Sequence, residues 1–423
     1  MTKEWLAKYL VEKDKMGGNV KIAKITIMGN YWDSYIYRDC LFLFDMSKNI
    51  NIYDWSIIVL NEHSSETYLG LKCAFLNSDY LYKVRDFNLF IDNDFRKLVI
   101  SKINGITDKL YFKYQLPIKC SIQLDQLPID IGVYNNLLFY IDSRGFFNRE
   151  LKFRNKNVIS KNETKLSSLK SQSMDIGIGG RILLSASDKG LFEYNYRETE
   201  LSGYELLSDY KNRNSLDNIG EGRMYLISKE HSTSCSWAFS TIVNNSYFND
   251  PFIYPFKYEK TIDDKYELKT IKKINSKELF DDIDLSKCVV VANNEKIYCI
   301  YADKIEGYHY TQKYVGETDA AFRKIITVNI NIGESIVSSE VTEFGLVIES
   351  ITALYVLRSN GQIEKINSEP GEIVKWRVFS RSNCYANQLH VIYKDRIEIL
   401  SFNDDYFRNE YDEKTIGNNH RYY

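Results

Sequence analysis

Apolar and polar positions alternate along most of the chain in short runs separated by tight turns, and one such pattern is repeated without a gap. Residues 130–147 and 175–192 match at a spacing of 45 residues, with Asp, Gly, Gly and Phe at equivalent positions around an apolar run. The pairs Asn135-Asn136 and Gly179-Gly180 suit a first turn that needs positive φ, and a Gly-containing triplet suits a second. Each segment is therefore predicted to be an antiparallel meander of strand, turn, strand, turn and strand.

Looser versions of this meander recur along the chain. They lie at residues 40–54, 73–84, 223–239, 288–310, 346–366 and 389–402. With the two strong copies they make eight units in 423 residues, and a period of about 40–50 residues plus loops is typical of closed all-β repeat folds. Because the spacing is uneven, the number of repeats is left at seven or eight.

The segments INIYD at 50–54 and NGQIEKI at 360–366 give the pattern a recognisable form. With them, most of the chain resembles the WD-repeat and Kelch-like β-propeller superfold. The WD dipeptide and the paired Gly-His of true WD repeats are absent, so the resemblance implies architecture and assigns no functional residues. The fold class predicted is all-β, a single β-propeller of seven or eight four-stranded blades with a short N-terminal helix.

The ends of the chain depart from the repeat. Residues 1–18 are predicted to form an amphipathic helix that Gly17-Gly18 ends, residues 19–411 the propeller, and residues 412–423 a polar tail. Closure of a propeller removes exposed strand edges, so the strand predicted at residues 20–27 is expected to pair near the C-terminal hairpin. A further irregular stretch, 257–285, is dense in both charge signs and is expected to be an exposed insertion or a short surface strand and helix.

Composition supports β structure and narrows the function classes. The chain has 33 Tyr and 22 Phe but only 5 Pro, which favours pleated, half-buried strands. Its 55 basic and 57 acidic side chains are interspersed and give a net charge of -2, so binding to nucleic acid is not indicated. The N-terminus lacks an apolar signal core and no stretch reaches the ~18 apolar residues of a membrane span, which predicts a cytoplasmic protein.

Cysteine and histidine chemistry offers few candidates. The seven cysteines are scattered and include no C-x-x-C pair, which favours reduced core thiols and no metal. His231 stands four residues before Cys235, a spacing that could activate a thiolate, and His309 with Asp303 and Glu306 could hold a divalent ion. For both sets, ordinary turn and strand positions are the favoured interpretation, and no catalytic residue and no cofactor are predicted.

Two glycine-containing motifs are interpreted as turns. Residues 185–192 are similar to part of the Asp-box of sialidase-type propellers, since Asp188 and Gly190 are correctly spaced, but Ala186 replaces the leading Ser and Phe192 stands where Thr should be. A glycosidase would also need a paired-carboxylate site. The GIGG sequence at 177–180 is followed by a strand and by no Lys-Ser/Thr, so a phosphate-binding loop is not indicated.

The function predicted is that of a non-catalytic protein-interaction scaffold within a multiprotein assembly. Bias towards Ile, Asn, Lys and Tyr suggests an AT-rich bacterial genome, and this origin in turn suggests a defence or signalling complex. The partner is expected to bind the face loops and the N-terminal helix, because aromatic anchors on one helical face are typical of helix-in-groove binding. The alternatives left open are a propeller hydrolase or lyase and a glycan-binding propeller. The predicted partner-binding residues are Trp5, Leu6, Tyr9 and Leu10.

Overall fold

The strands follow one another along the whole described part of the chain, and three helices interrupt them early. A computed structural model describes residues 21–60, 65–76, 93–106, 111–112, 118–154, 157–177, 180–196, 223–238, 241–248, 251–260, 266–270, 274–275, 288–293, 296–310, 322–330, 335–342, 344–358, 361–366, 373–382 and 384–403. The elements are β1 (Ala23–Met28), β2 (Tyr31–Tyr37), β3 (Cys40–Asp45), β4 (Asn49–Asp54), α1 (Trp55–Leu60), α2 (Ser65–Phe75), α3 (Asn93–Asn104), β5 (Tyr111–Phe112), β6 (Ile118–Gln123), β7 (Asp130–Tyr134), β8 (Leu137–Asp142), β9 (Gly145–Arg154), β10 (Asn157–Ser160), β11 (Thr164–Ser167), β12 (Ser173–Ile176), β13 (Arg181–Ser185), β14 (Leu191–Asn195), β15 (Arg223–Ser228), β16 (Ser234–Ala238), β17 (Thr241–Asn245), β18 (Phe252–Lys260), β19 (Tyr266–Thr270), β20 (Ile274–Asn275), β21 (Val289–Asn293), β22 (Lys296–Ile300), β23 (Lys304–Tyr310), β24 (Phe322–Asn329), β25 (Ile336–Thr342), β26 (Gly345–Ser350), β27 (Leu354–Arg358), β28 (Ile363–Lys365), β29 (Ile373–Val378), β30 (Gln388–Tyr393) and β31 (Arg396–Ser401).

These strands form seven small sheets, each built around four antiparallel strands. Numbered along the chain, blade 1 is β2-β3-β4-β6, blade 2 is β7 to β10 with β11 beside β9, blade 3 is β12 to β15, blade 4 is β16 to β19 with β20 beside β18, blade 5 is β21 to β24, blade 6 is β25 to β28, and blade 7 is β29-β30-β31-β1 with β5 at its edge. The fold is therefore a seven-bladed β-propeller, which confirms the predicted architecture and settles its number of blades within the described residues.

Closure by the N-terminal strand is also confirmed. β1 pairs antiparallel with β31 from Ala23 opposite Ser401 to Met28 opposite Arg396. The first described strand of the chain is thus the fourth strand of the last blade, and β31 has a partner on both sides. A strand without such a partner would expose a row of unpaired backbone groups.

The residues shared by the two strong repeats have equivalent structural roles. The carboxylate of Asp130 accepts a hydrogen bond from the backbone N–H of Met174 at 2.9 Å, and that of Asp175 accepts one from Trp237 at 2.7 Å. Each aspartate therefore ties the first strand of its blade to the first strand of the next. Gly190 has φ of 102° and a Cβ there would overlap the carbonyl oxygen of Ser228, so a side chain is excluded.

The first turn of the repeat has the predicted geometry. Asn135 and Asn136 have φ values of 48° and 63°, as a type I′ hairpin turn requires. In the second copy Gly180 has φ of 82°, while Gly179 lies outside the described residues.

The sequence interpretation of residues 73–84 as a strand meander is wrong. Cys73 lies in α2, which runs from Ser65 to Phe75, and residues 77–84 lie outside the described residues. The three helices are inserted between the third and fourth strands of blade 1. Asp54 lies at the start of this insertion. Its side-chain carboxylate accepts the backbone N–H of Ile57 at 3.2 Å, as an N-cap residue does.

Two other sequence interpretations are corrected in part. Residues 223–239 are not one meander, because β15 completes blade 3 whereas β16 begins blade 4. Within 257–285, the described backbone is strand: β18 extends to Lys260 and pairs with β19, and β20 pairs with its first part. The predicted N-terminal helix and C-terminal tail lie outside the described residues.

The chain divides into two compact units. Unit 1 contains Met1–Leu124, Thr342–Val347 and Ala353–Tyr423, and unit 2 contains Asp125–Val341 and Ile348–Thr352. In unit 1 the inserted helices bury Trp55, Phe75 and Ile103 against apolar side chains of β1 and β31. In unit 2 the cores lie between successive blades, as where Phe139 and Phe146 of blade 2 pack with Leu184 of blade 3.

Candidate functional site

Three loops of unit 2 meet at one edge of blades 3 and 4. In an antiparallel blade, the loop between the second and third strands and the connection to the next blade leave from the same edge of the sheet. The loops at 186–190 and 229–233, and residues 246–248 that follow β17, are of these two kinds. Ser187 and Ser232 join the first two loops by a pair of backbone hydrogen bonds, 2.9 and 3.1 Å long.

His231 links all three loops through its ring. Its Nε2 lies 3.3 Å from the Ser187 hydroxyl and its Nδ1 3.0 Å from the Ser246 hydroxyl. The Ser246 hydroxyl also accepts the backbone N–H of Phe248 at 3.1 Å, a side-chain turn that fixes the start of the third loop. We call the following residues the His231 cluster: Ser187, Asp188, His231, Ser246, Tyr247 and Phe248.

The backbone of Ser187 adopts an uncommon conformation that places this loop. Its φ is 53°, in the left-handed region that non-glycine residues seldom adopt. The Ser187 carbonyl accepts the N–H of Gly190 at 3.0 Å and that of Ser232 at 3.1 Å. The Asp-box-like motif is thus a turn, as predicted, and its carboxylate at Asp188 points out with 92% of the side chain exposed.

Two aromatic side chains stand out from the same site. Tyr247 is 80% exposed and Phe248 is 77% exposed, although the ring of Phe248 packs edge-on against His231 with 4.7 Å between centroids. Adjacent exposed aromatic rings of this kind mark interaction surfaces more often than isolated exposed apolar residues do. The His231 cluster therefore combines exposed aromatic side chains, an exposed carboxylate beside the imidazole and an imidazole held by two hydroxyls.

The cluster is not arranged as a serine protease triad. Asp188 Oδ1 is 3.8 Å from His231 Nε2, the same nitrogen that faces Ser187. In a triad the carboxylate holds the other ring nitrogen, so that the nitrogen facing serine is free to accept a proton. Here that other nitrogen faces the Ser246 hydroxyl, and a hydroxyl gives little stabilisation to an imidazolium.

Two further sets were considered from the sequence, His231 with Cys235 and His309 with Asp303 and Glu306. Burial raises the pKa of the Cys235 thiol to about 12, and His231 contacts hydroxyls rather than this thiol. Glu306 is buried and accepts hydrogen bonds from Lys324 at 2.6 Å and Lys304 at 3.1 Å. Among the residues that the structure describes, no three His, Cys, Asp or Glu side chains converge to hold a metal ion.

At the same edge of blade 2, a charged network is built around one arginine that pairs with several carboxylates. Arg144 donates to Asp142 at 2.7 Å and to Glu163 at 3.2 Å, and it also pairs with Asp125 at 2.5 Å. The guanidinium lies over the ring of Phe147 at 4.5 Å. Because its carboxylates share this arginine, the network joins loops and leaves no paired free carboxylates for glycoside chemistry.

A second histidine, His390, belongs to a buried polar cluster in unit 1. Its Nδ1 is 2.8 Å from the Ser34 hydroxyl. Beside it, the buried carboxylate of Asp33 is held by Arg377 through two hydrogen bonds of 2.7 Å and by Lys375 at 2.6 Å. Burial would raise the pKa of Asp33, but the two cations outweigh it and hold the pKa below its usual value. Since Ser34 and His390 are fully buried, this pair has no access to a substrate.

The partner-binding residues predicted from sequence belong to residues 1–18. Trp5, Leu6, Tyr9 and Leu10 lie outside the described residues, so their role stays a prediction. Sequence reasoning considered His231 and Asp188 for other chemistry and missed Tyr247 and Phe248. The only local indication was an aromatic pair between Asn244-Asn245 and Pro251, a stretch rich in turn formers.

Comparison with known proteins leaves the function open. No protein-family model matches the sequence, and no curated protein matches it. Among solved structures, BamB from Moraxella catarrhalis is 7% identical over 86% of this chain and 82% of that one, with a TM-score of 0.38. The computationally designed Ika8 protein is 7% identical over 89% and 98% of the two chains, with a TM-score of 0.44. Likenesses this distant carry no argument, and the propeller assignment depends on the sheets themselves.

The described helices are short. The longest, α3, has 12 residues, and none of the described helices has the length and apolar character needed to cross a membrane.

Proposed function

We propose that this chain is a non-catalytic β-propeller scaffold, a cytoplasmic subunit of a multiprotein assembly, and that a partner protein docks on the His231 cluster. The observation that carries the proposal is the exposed pair Tyr247 and Phe248 on a loop fixed through Ser246. Aromatic side chains that are already ordered lose little conformational entropy on binding, so they contribute strongly to protein interfaces.

Recognition is favoured over hydrolysis by the composition of the site. The carboxylate, imidazole and hydroxyls of the His231 cluster are present, but their order does not suit proton transfer from Ser187. The exposed rings, in contrast, have no role in such chemistry. A bacterial origin and a place in a defence or signalling complex belong to the same proposal, motivated by the amino-acid bias of the sequence.

The N-terminal segment is proposed as a second contact. Its residues Trp5, Leu6, Tyr9 and Leu10 would form the apolar face of a helix that inserts into a groove of the partner. The two proposed contacts use different residues, so they can be tested separately.

Co-purification from the native host tests the proposal. The tagged full-length chain is expected to retain a stoichiometric partner, and the double variant Tyr247→Ala/Phe248→Ala is expected to lose it, because the apolar anchors are removed without touching the core. Ile351→Ala is the matched control, since Ile351 is 65% exposed on the loop between β26 and β27. Retention of the partner by the double variant, or its equal loss from the control, would contradict docking at the cluster.

A further inference from the structure

The chemistry of the His231 cluster indicates what kind of partner group it receives. One imidazole contacts both the Asp188 carboxylate, at 3.8 Å from Nε2, and the Phe248 ring, at 4.7 Å between centroids. An exposed anion and an exposed aromatic ring therefore stand beside each other on a common support. Tyr247, the residue before Phe248, is also exposed.

This combination suits a planar cation. A guanidinium stacks on aromatic faces and donates two parallel hydrogen bonds to one carboxylate. Both oxygens of Asp188 are accessible, since 92% of its side chain is exposed. An aliphatic or neutral polar group would use the rings or the carboxylate, but not both.

The surrounding charges argue for a specific contact rather than general attraction. Lys189 and Lys229 are exposed on the same loops, and they offset Asp188 and Glu230. With local charge balanced, a basic partner surface gains little from long-range attraction. Selectivity then depends on direct contact with the rings and the single carboxylate.

The site is ordered before the ligand arrives. His231 is held from both sides by Ser187 and Ser246, and its backbone carbonyl accepts the side-chain amide of the buried Asn244 at 3.5 Å. Phe248 packs on this fixed ring, so binding does not have to order it.

We propose that the His231 cluster binds an arginine side chain presented by the partner polypeptide, with the guanidinium between the Asp188 carboxylate and the rings of Tyr247 and Phe248. This inference rests on the proposed function, because it assumes that a polypeptide docks at the cluster. It adds the chemical identity of the anchor.

A random peptide library displayed on phage and selected on the full-length chain tests the arginine. Selected peptides are expected to share one arginine, and synthetic versions with citrulline in its place are expected to bind about tenfold more weakly by fluorescence anisotropy, since the charge is lost while the shape remains. Asp188→Asn is expected to weaken the arginine peptide about tenfold and to leave the citrulline peptide unchanged. Asp303→Asn, on the equivalent loop of blade 5, is the matched control and is expected to have no effect.

The outcomes separate this inference from the proposed function. If Tyr247→Ala/Phe248→Ala abolishes peptide binding while citrulline and Asp188→Asn have no effect, docking at the cluster stands and the arginine assignment is overturned. If the double variant binds like the wild type, both fail.

If no peptide is selected, titration of the full-length chain with a small arginine derivative tests the same assignment. N-acetyl-arginine amide is expected to shift the NMR signals of His231 and Phe248, and N-acetyl-citrulline amide is not. Equal shifts, no shift up to the solubility limit, or binding of a neutral saccharide from a glycan array at this site would overturn the assignment.

Discussion

His390 shows how burial changes the chemistry of one side chain. Burial lowers its pKa to about 3, and the nearby Asp33 carboxylate opposes this shift while Arg377 adds to it. The folded chain therefore keeps the imidazole neutral, hydrogen-bonded to Ser34 and stacked edge-on against Phe379 at 4.7 Å. In the unfolded chain the same ring takes up a proton near its ordinary pKa of about 6.5.

The stability of the protein should fall as the pH drops below about 6.5. Because the folded pKa of His390 is depressed, the unfolded chain binds one more proton between the two pKa values, so the free energy of unfolding falls by about 1.4 kcal/mol per pH unit, or about 2 kcal/mol at pH 5. Urea unfolding between pH 7 and about 4.5 measures this slope.

His390→Gln provides the comparison, since glutamine keeps polar atoms but has no proton to gain. Its unfolding free energy is expected to have a pH slope smaller by one proton between about pH 6.5 and about 4.5. The lowered pKa of Asp33 changes the free energy of unfolding only below its unfolded pKa of about 3.9. That pH lies outside the range measured. An unchanged slope in His390→Gln would contradict the assignment.

At the scale of elements, the inserted helices are fastened to blade 7 through the end of α2. The Ser401 hydroxyl donates to the carbonyl oxygen of Ala74 at 2.6 Å, and the Asn387 side chain donates to the same oxygen at 3.2 Å. The carbonyl of Phe75 accepts Trp55 Nε1 at 2.7 Å and the side chain of Gln388 at 3.0 Å. Polar side chains thus satisfy carbonyls that a helix end leaves without partners.

Ser401→Ala should weaken this attachment. Removal of a buried donor is expected to lower the free energy of unfolding by about 1–3 kcal/mol, because Asn387 and Asn403 lose a partner together with Ala74. Ser101→Ala, at an exposed position of α3, is the control and should leave stability unchanged or raise it slightly. Denaturant unfolding measures the free energy of unfolding of the two variants. Equal values would refute the role given to Ser401.

The inserted helices could not be predicted from the sequence. Phe75 and Leu76 form part of a short apolar run, and such a run does not distinguish a buried strand from a buried helix by its period. The repeat at 130–147 and 175–192 was predictable because its information is local: turn residues such as Asn135 and Gly190 have positive φ. The His231 cluster was not, since Ser187, His231 and Ser246 meet only through the packing of two blades.

At the scale of the whole molecule, two truncations separate the fold from the proposed docking segment. Deletion of residues 1–18 leaves β1 intact and is expected to give a folded chain that binds its partner more weakly, because Trp5, Leu6, Tyr9 and Leu10 are lost. Deletion of residues 1–28 removes β1 and uncovers the edge of β31, so this chain is expected to aggregate.

Circular dichroism, size-exclusion chromatography and partner co-purification measure these outcomes. An insoluble chain lacking residues 1–18 would show that this segment is part of the fold. A monomeric, cooperatively folded chain lacking residues 1–28 would refute the contribution of β1 to closure.

The pairing of β1 with β31 has a consequence for how the protein is made. Of the described strands β1 is synthesised first, whereas its partner ends at Ser401. Ile25 and Ile27, which are buried in the finished fold, therefore wait until β31 has been synthesised. At typical elongation rates this wait lasts ~20–75 s. During that time an apolar strand without its partner is available to chaperones or to neighbouring nascent chains, and the yield of folded protein should depend on how well the cell protects it.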